Sequence, residues 1–225
     1  MQSAGNVSGT MDDVWRFWMT WGVSLAAVVA TFCAVMVALF GEWIRAKLFV
    51  PRLTVTLVSG SGERIPVTLT PPNGSPRIEE GRHYRIRVSN EKRWPKATQV
   101  RVHLTRLEEP GPDGQLQLKW TGEVPLRWTH QEIMPLERTV GPDATCDFCS
   151  VVKDKWLQLH PLIMPNNLAE IAFRRVPAKV DMTVSLVARS SEADSPIKRL
   201  QIAWDGRWSA GEAEMAQHLV IKELI

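Results

Sequence analysis

Charge is missing from one long stretch of this chain. From Phe17 to Gly41, FWMTWGVSLAAVVATFCAVMVALFG, no Asp, Glu, Lys, Arg or His occurs over 25 residues. Roughly 20 apolar residues in a helix span the hydrocarbon core of a bilayer. A helix at the surface of a soluble protein carries charge on its outer face, so the stretch is expected to be one transmembrane helix. Tyrosine is nearly absent as well, with 1 Tyr against 10 Trp. Four of these, Trp15, Trp18, Trp21 and Trp43, flank or enter the apolar stretch, where amphipathic rings settle at headgroup depth. Cysteine is scarce: the 3 Cys include Cys33 inside the apolar stretch, which argues against a secreted disulfide framework. The sequence has no Gly-rich phosphate loop, no G-x-S-x-G and no H-E-x-x-H, the motifs that would place phosphate, acyl or metal chemistry. Its carboxylates and histidines are scattered singly. A non-enzymatic protein without a cofactor is the expectation. The net charge of +3 is too small to call for a specific nucleic-acid partner.

The flanks of the apolar stretch set an expected topology. Residues 1–14 hold no Lys or Arg, and the apolar run exceeds the roughly 7–15 residues of a signal-peptide core, so the segment is expected to stay in the mature protein. Arg16 stands before it, whereas Arg45, Lys47 and Arg52 follow it. The positive-inside rule then puts the C-terminal side in the cytoplasm, in a single-pass protein of the inner (plasma) membrane. Thr10 and Asp13 have the spacing of a helix N-cap pair, and Pro51 would stop a helix running to about Phe49. The expected division is a flexible N-terminus over 1–14, a transmembrane helix with its juxtamembrane extension over 15–49, and a β-sandwich domain over 53–225.

Small residues recur on the helix. Gly22, Ala26, Ala30, Ala34 and Ala38 are spaced at i+4, and Thr20, Ser24 and Thr31 extend an overlapping weakly polar stripe. Small side chains let helix backbones approach closely in lipid, where packing drives association. Self-association, or docking onto another membrane helix, is the functional expectation. The alternative is that alanine is simply common in membrane helices.

From Leu53 the hydrophobic period changes from helical to two. Alternating runs occur at Leu53–Val58, Ile65–Leu69, His83–Val88, Val100–Leu107, Leu116–Trp120 and Val124–Trp128. Further candidates are Leu136–Val140, Asp147–Val152, Leu157–Ile163, Val180–Ala188, Leu200–Trp204 and Gln217–Leu224. Gly/Pro clusters separate them, which reads as a β-sandwich. Only Asn166–Arg174 looks helical. Pro112-Asp-Gly114 is a tight-turn signal, predicting a hairpin between a strand ending near Glu108 and one starting near Gln115.

One region is strongly basic. Arg82, Arg85, Arg87, Lys92, Arg93, Lys96, Arg101 and Arg106 stand against the single acid Glu91. Strand alternation points Tyr84, Ile86 and Val88 to the core and Arg85 and Arg87 outward; likewise Val100, Val102 and Leu104 point in, with Arg101 and His103 out. If these two strands pair, like charges oppose each other at up to roughly 1 kcal/mol per pair. Carboxylates, solvent or an anionic ligand would have to offset that. Trp94, between Lys92-Arg93 and the next strand, offers a stacking surface. Phosphate-bearing matter (the acidic cytoplasmic leaflet, a nucleotide or nucleic acid) is the functional expectation for Arg85, Arg87, Lys92, Arg93, Trp94, Arg101 and His103; a solvated face balanced by acids is the bland one. Cys146-Asp-Phe-Cys149 has the C-x-x-C spacing of half a zinc site or a redox pair. No second C-x-x-C exists and the histidines lack ligand spacing, so reduced core thiols are the expectation. Trp120, Trp128, Trp156 and Trp204 are expected to pack in the core or at sheet edges, with a ligand pocket as the alternative.

Tyr84-Arg-Ile-Arg-Val-Ser-Asn-Glu91, followed by Pro95-Lys-Ala-Thr-Gln-Val-Arg-Val-His-Leu104, resembles the paired strands of bacterial immunoglobulin-like domains of the CARDB type. Pro125-Leu-Arg-Trp-Thr-His130 and Cys146-Asp-Phe-Cys149 look like stretches in uncharacterised bacterial single-pass membrane proteins that carry one such domain. The resemblance covers about a third of the polar part, and departs at Lys92-Arg-Trp94, where the related turn is usually small. It implies an Ig-like antiparallel β-sandwich serving as an interaction module, and no particular chemistry. Three functions follow as expectations. The first is a membrane-anchored binding module that self-associates through its helix or binds a protein partner. The second is a membrane effector whose cytosolic domain senses a small anionic signal and whose helices assemble to perturb the membrane. The third is a zinc or redox protein built on Cys146 and Cys149.

Overall fold

The computed structural model describes residues 9–48, 50–69, 74–92, 94–129, 136–175 and 179–224. The chain divides into two compact units, Met1–Val50 and Pro51–Ile225. Among its described residues, unit one holds a single helix, α1, Gly9–Leu48. Within it, Val14–Gly41 is long and apolar enough to cross a membrane, and every side chain from Val14 to Phe40 is exposed. The hydroxyls of the apolar stretch are satisfied within the helix: Ser24 Oγ donates to Thr20 O at 2.8 Å and Thr31 Oγ1 to Ala27 O at 2.8 Å. This back-bonding lets weakly polar residues sit where no water is available. The described helix already includes Thr10, and the residues before Gly9 lie outside the described ones.

The second unit is mainly β, and every strand pair among its described residues is antiparallel. Its strands are β1 Leu53–Leu57, β2 Glu63–Leu69, β3 Arg77–Asn90, β4 Ala97–Pro110, β5 Leu116–Pro125, β6 Arg138–Val140, β7 Asp143–Val152, β8 Trp156–Leu159, β9 Phe173–Arg175, β10 Val180–Arg189, β11 Lys198–Trp204 and β12 Leu219–Leu224. Two short helices interrupt them, α2 Asn166–Ala172 and α3 Glu212–His218. One six-stranded sheet has the order β1-β3-β7-β8-β9, with β2 also on β3; the other runs β12-β11-β10-β4-β5, with β6 on β4. One of the sheets curls into a half-barrel. Register shifts in β3/β7, β4/β10 and β4/β5 supply the local bends and added twist that curvature needs.

Both sheets contribute to one hydrophobic core, with Tyr84, Ile86, Val88 and Phe148 from the first and Val102, Leu104, Val184 and Ile202 from the second. Alternation therefore reads correctly along β3 and β4: Tyr84, Ile86, Val88, Val100, Val102 and Leu104 are buried, and Arg87 is exposed. The predicted hairpin is present. Gly111 N donates to Gln115 O at 2.7 Å, and Gly114 takes φ +75°, a conformation open to glycine at little cost. Trp120, Trp128 and Trp204 are buried as expected, and each indole N–H finds an acceptor, in Asn167 Oδ1, Leu136 O and Arg207 O.

Several boundaries differ from the sequence reading. Leu116–Trp120 and Val124–Pro125 belong to one strand, β5, bent by a register shift. The helix expected over Asn166–Arg174 ends at Ala172, because Phe173–Arg175 pairs with β8. Gln217 and His218 close α3 rather than open β12. Its Glu212 and Glu214 lie in the first turn and His218 in the last, the charge order a helix dipole favours.

Candidate functional site

The basic run does not form one face. The condition that β3 and β4 pair is not met: β3 lies in the first sheet and β4 in the second. The reason is edge occupancy. β1 and β2 take one flank of β3 and β7 takes the other, so no hydrogen-bonding edge of β3 is left for β4. Arg85 and Arg87 are thereby on one sheet, and Arg101 and His103 on the other. A composite Arg85/Arg87/Arg101 surface is not what the fold builds.

On each sheet the guanidinium groups meet carboxylates. Arg85 is held between Glu63 of β2 and Asp147 of β7, the latter at 3.5 Å. Asp147 also accepts from Thr129 Oγ1 at 3.0 Å. Arg87 stands 3.6 Å from Asp143, and Arg101 pairs with Glu137. Arg106 and Arg199 converge on the buried Glu108 at 2.8 and 2.9 Å. The like-charge opposition expected between β3 and β4 occurs instead between β4 and β10, where Arg101 faces Arg189. Arg189 is compensated by Glu123 at 2.6 Å and Asp194 at 3.9 Å. His103 lies half-buried opposite Val187 and Pro125. Burial pushes its pKa down, against the pull of Glu123. An anion reaching Arg85 or Arg101 would have to displace a carboxylate already in place.

The remaining candidates sit in the β3–β4 connection. Trp94 is 68% exposed, and Lys92 is half-buried. Arg93 lies outside the described residues. The connection is shaped by Asn90, whose Oδ1 accepts from Arg52 N at 3.1 Å and Lys92 N at 3.3 Å, and whose Nδ2 donates to Pro95 O at 2.8 Å. Gly22, Ala26, Ala30, Ala34 and Ala38 all lie exposed along α1.

Cys146 and Cys149 are fully buried on β7, both as free thiols. Tyr84 pairs with Cys149 and Arg85 with Asp147, so Phe148 is an extra residue and the two cysteines flank a bulge. Burial pushes both thiols well above the ordinary range, which removes the thiolate that redox exchange needs. Among the described residues, no three His, Cys, Asp or Glu come together to hold a metal ion. Cys146 and Cys149 are expected to stay unlabelled by maleimide in the native chain and to react after denaturation. Labelling of either at the rate of an exposed cysteine in native buffer would contradict their burial.

Three constellations were not visible in the sequence. Arg82 belongs to the basic run in sequence, yet it is 1% exposed. Its parity with Tyr84 was the available signal: the alternation that turns Tyr84 inward turns Arg82 inward too. It donates to Ser61 O at 3.1 Å, Gly62 O at 3.4 Å and Ala210 O at 2.6 Å, joining the β1–β2 loop to the segment before α3. His83, His160 and Ser150 form a second group, with imidazole centroids 5.0 Å apart and His160 Nε2 hydrogen-bonded to Ser150 Oγ at 2.7 Å. Burial, then the neighbouring His83, brings His160 down to about 4, and burial lowers His83 as well. The third is the His218 Nδ1–Asp205 Oδ2 pair at 2.8 Å. It lines an open groove of about 410 Å³ with Lys179, Asp181 and Gln217. No local spacing announces pairs 10 or more residues apart.

No protein-family model matches the chain, and no curated protein matches it.

Proposed function

We propose that this chain is a non-enzymatic, single-pass membrane protein whose helix associates in the bilayer and whose β-domain is a binding module. On this reading it resides in the inner membrane, with the domain on the cytoplasmic side, and the two antiparallel sheets are a curled relative of the CARDB-type immunoglobulin-like sandwich. The observation that carries the proposal is the exposure of the whole Val14–Phe40 surface. A 28-residue apolar span with no side chain buried against the rest of the chain needs lipid, another helix, or both. Gly22, Ala26, Ala30, Ala34 and Ala38 give a partner helix a face on which backbones can approach. The hydroxyls of Ser24 and Thr31 are already bonded within the helix, so packing rather than interhelical hydrogen bonding would drive the contact.

The test is a triple substitution, Ala26→Leu, Ala30→Leu and Ala34→Leu, in the full chain. Oligomer size is read by chemical cross-linking and by sedimentation in detergent. The expected outcome is loss of the higher species, because three isobutyl side chains in place of methyl groups hold the backbones apart. An unchanged size distribution overturns association through this face. Protease treatment of intact and lysed spheroplasts tests the sidedness: cleavage of the β-domain only after lysis is expected, and cleavage in intact cells would place it outside.

A further inference from the structure

The β3–β4 connection stands apart from the rest of the basic run. Arg85, Arg87, Arg101 and Arg106 each have a carboxylate partner, and Arg82 is buried on backbone carbonyls. Lys92 and Lys96 have no acidic partner among the described residues. Between them Trp94 is 68% exposed, whereas the other Trp of the β-domain are buried or half-buried. The loop is not a loose one at its base. Asn90, 5% exposed, grips both of its arms, and Glu91 N donates to Arg52 O at 2.9 Å.

Residue 52 ties this loop to the membrane through the chain itself. α1 ends at Leu48, so Arg52 follows by four residues, a contour of at most roughly 14 Å. The apolar span ends at Gly41. The seven further helical residues to Leu48 cover about 10 Å, and the headgroup layer on one side of a bilayer is about 5–8 Å deep. The covalent path is therefore short enough for the base of the β3–β4 loop to reach the lipid headgroups. An exposed indole flanked by two uncompensated ammonium groups has the chemistry of that layer: the ring is amphipathic and the lysines match anionic phosphate.

We propose that the β3–β4 loop, through Lys92, Trp94 and Lys96, docks on anionic lipid headgroups and so fixes the β-domain against the membrane surface. The inference rests on the reading of α1 as a membrane anchor, and names the surface that the domain's loop recognises. It assigns Arg85 and Arg101 no part in lipid contact.

The experiment is hydrogen exchange of the full chain in lipid nanodiscs of phosphatidylcholine alone and with phosphatidylglycerol added. The amides of Trp94, Lys96 and Ala97 are expected to exchange up to roughly 25-fold more slowly in the anionic discs, since each of the two lysines at an anionic surface contributes about fivefold to residence. The β4–β5 hairpin, residues 111–115, serves as the internal reference and is expected to exchange equally in both. The difference is expected to vanish in high salt and in the Lys92→Glu/Lys96→Glu variant, while Trp94→Ala speeds exchange in both lipids. Equal exchange in the two lipids overturns the proposal, as does a lipid difference that survives the double charge reversal. A chain that fails to co-purify with discs at all overturns the anchor reading and this one with it; co-purification without a lipid difference overturns only the loop contact.

Discussion

Arg82→Ala is expected to cost the β-domain about 3–5 kcal/mol. The residue is fully buried and makes three hydrogen bonds to carbonyls of two separate segments, Ser61–Gly62 and Ala210. Truncation leaves these acceptors without their donors and opens a cavity where the side chain lay. No carboxylate partner of Arg82 is present among the described residues, so carbonyl dipoles alone offset the desolvation of its charge. That makes the comparison with Arg82→Met informative. Methionine keeps most of the volume and removes the buried charge, and replacing a poorly compensated ion by an apolar side chain is often close to neutral. The Met variant is therefore expected to lose about half as much as the Ala variant. Thermal unfolding of the full chain in detergent, followed by near-UV circular dichroism, checks both. A midpoint lowered by roughly 10 °C is expected for Ala, at about 2–4 °C per kcal/mol for a domain of this size. A shift under about 2 °C would mean that the loop and the α3 segment hold together without Arg82. Gly62 belongs to the same junction. It has φ +68°, and a Cβ there would meet the Tyr84 ring at 2.8 Å, so no other residue fits beneath the arginine without displacing the ring.

Acid is expected to destabilise the domain through the His83–His160 pair. The folded chain holds His160 down to about 4, whereas the ordinary value is 6.5. Between those values the unfolded chain takes up a proton that the folded chain refuses. The unfolded state is therefore favoured as pH falls, and the stability associated with neutral His160 is complete above about pH 6.5 and declines toward pH 4. A shift of this size corresponds to about 3 kcal/mol at most. His83 is lowered also, and acts in the same direction. Asp147 faces both rings and opposes the effect; Arg85 beside His83 and Arg127 beside His160 reinforce it. Urea midpoints measured at intervals from pH 7.5 to pH 4.5 are expected to fall steadily for the native chain. His160→Gln keeps a hydrogen-bonding group beside Ser150 and removes the titration, so its profile should be flatter over the same interval. Identical slopes for the two proteins would show that other groups dominate the acid response.

The parts of this protein legible in its sequence are those set by near neighbours. A run without charge from Phe17 to Gly41 cannot be solvated on any side of a helix, so the apolar helix is readable directly. A period of two cannot be satisfied by a helix, so most strands of the β-domain are readable too, down to which side chains of β3 and β4 turn inward. Pro112-Asp-Gly114 specifies its turn because the φ values it needs are intrinsic to Pro and Gly. Short segments were less legible: Phe173–Arg175 has a helical pattern, and its pairing with β8 overrides that weak local preference.

Tertiary structure alone decided the fate of the basic residues. Period and parity say that Arg85, Arg87, Arg101 and His103 point outward, but not which sheet they point out from. That depends on how strands 77–90 and 97–110 are shared between sheets, a competition for hydrogen-bonding edges among strands distant in sequence. The same competition brings Glu63, Asp147, Asp143 and Glu137 to guanidinium groups from which they are separated by 22 to 62 residues. It leaves Lys92 and Lys96 without an acidic partner among the described residues, and pulls Arg82 inside. Composition and periodicity determined that the chain has an apolar helix and an antiparallel β-domain; pairing at long range determined which of its charges remain available to a partner.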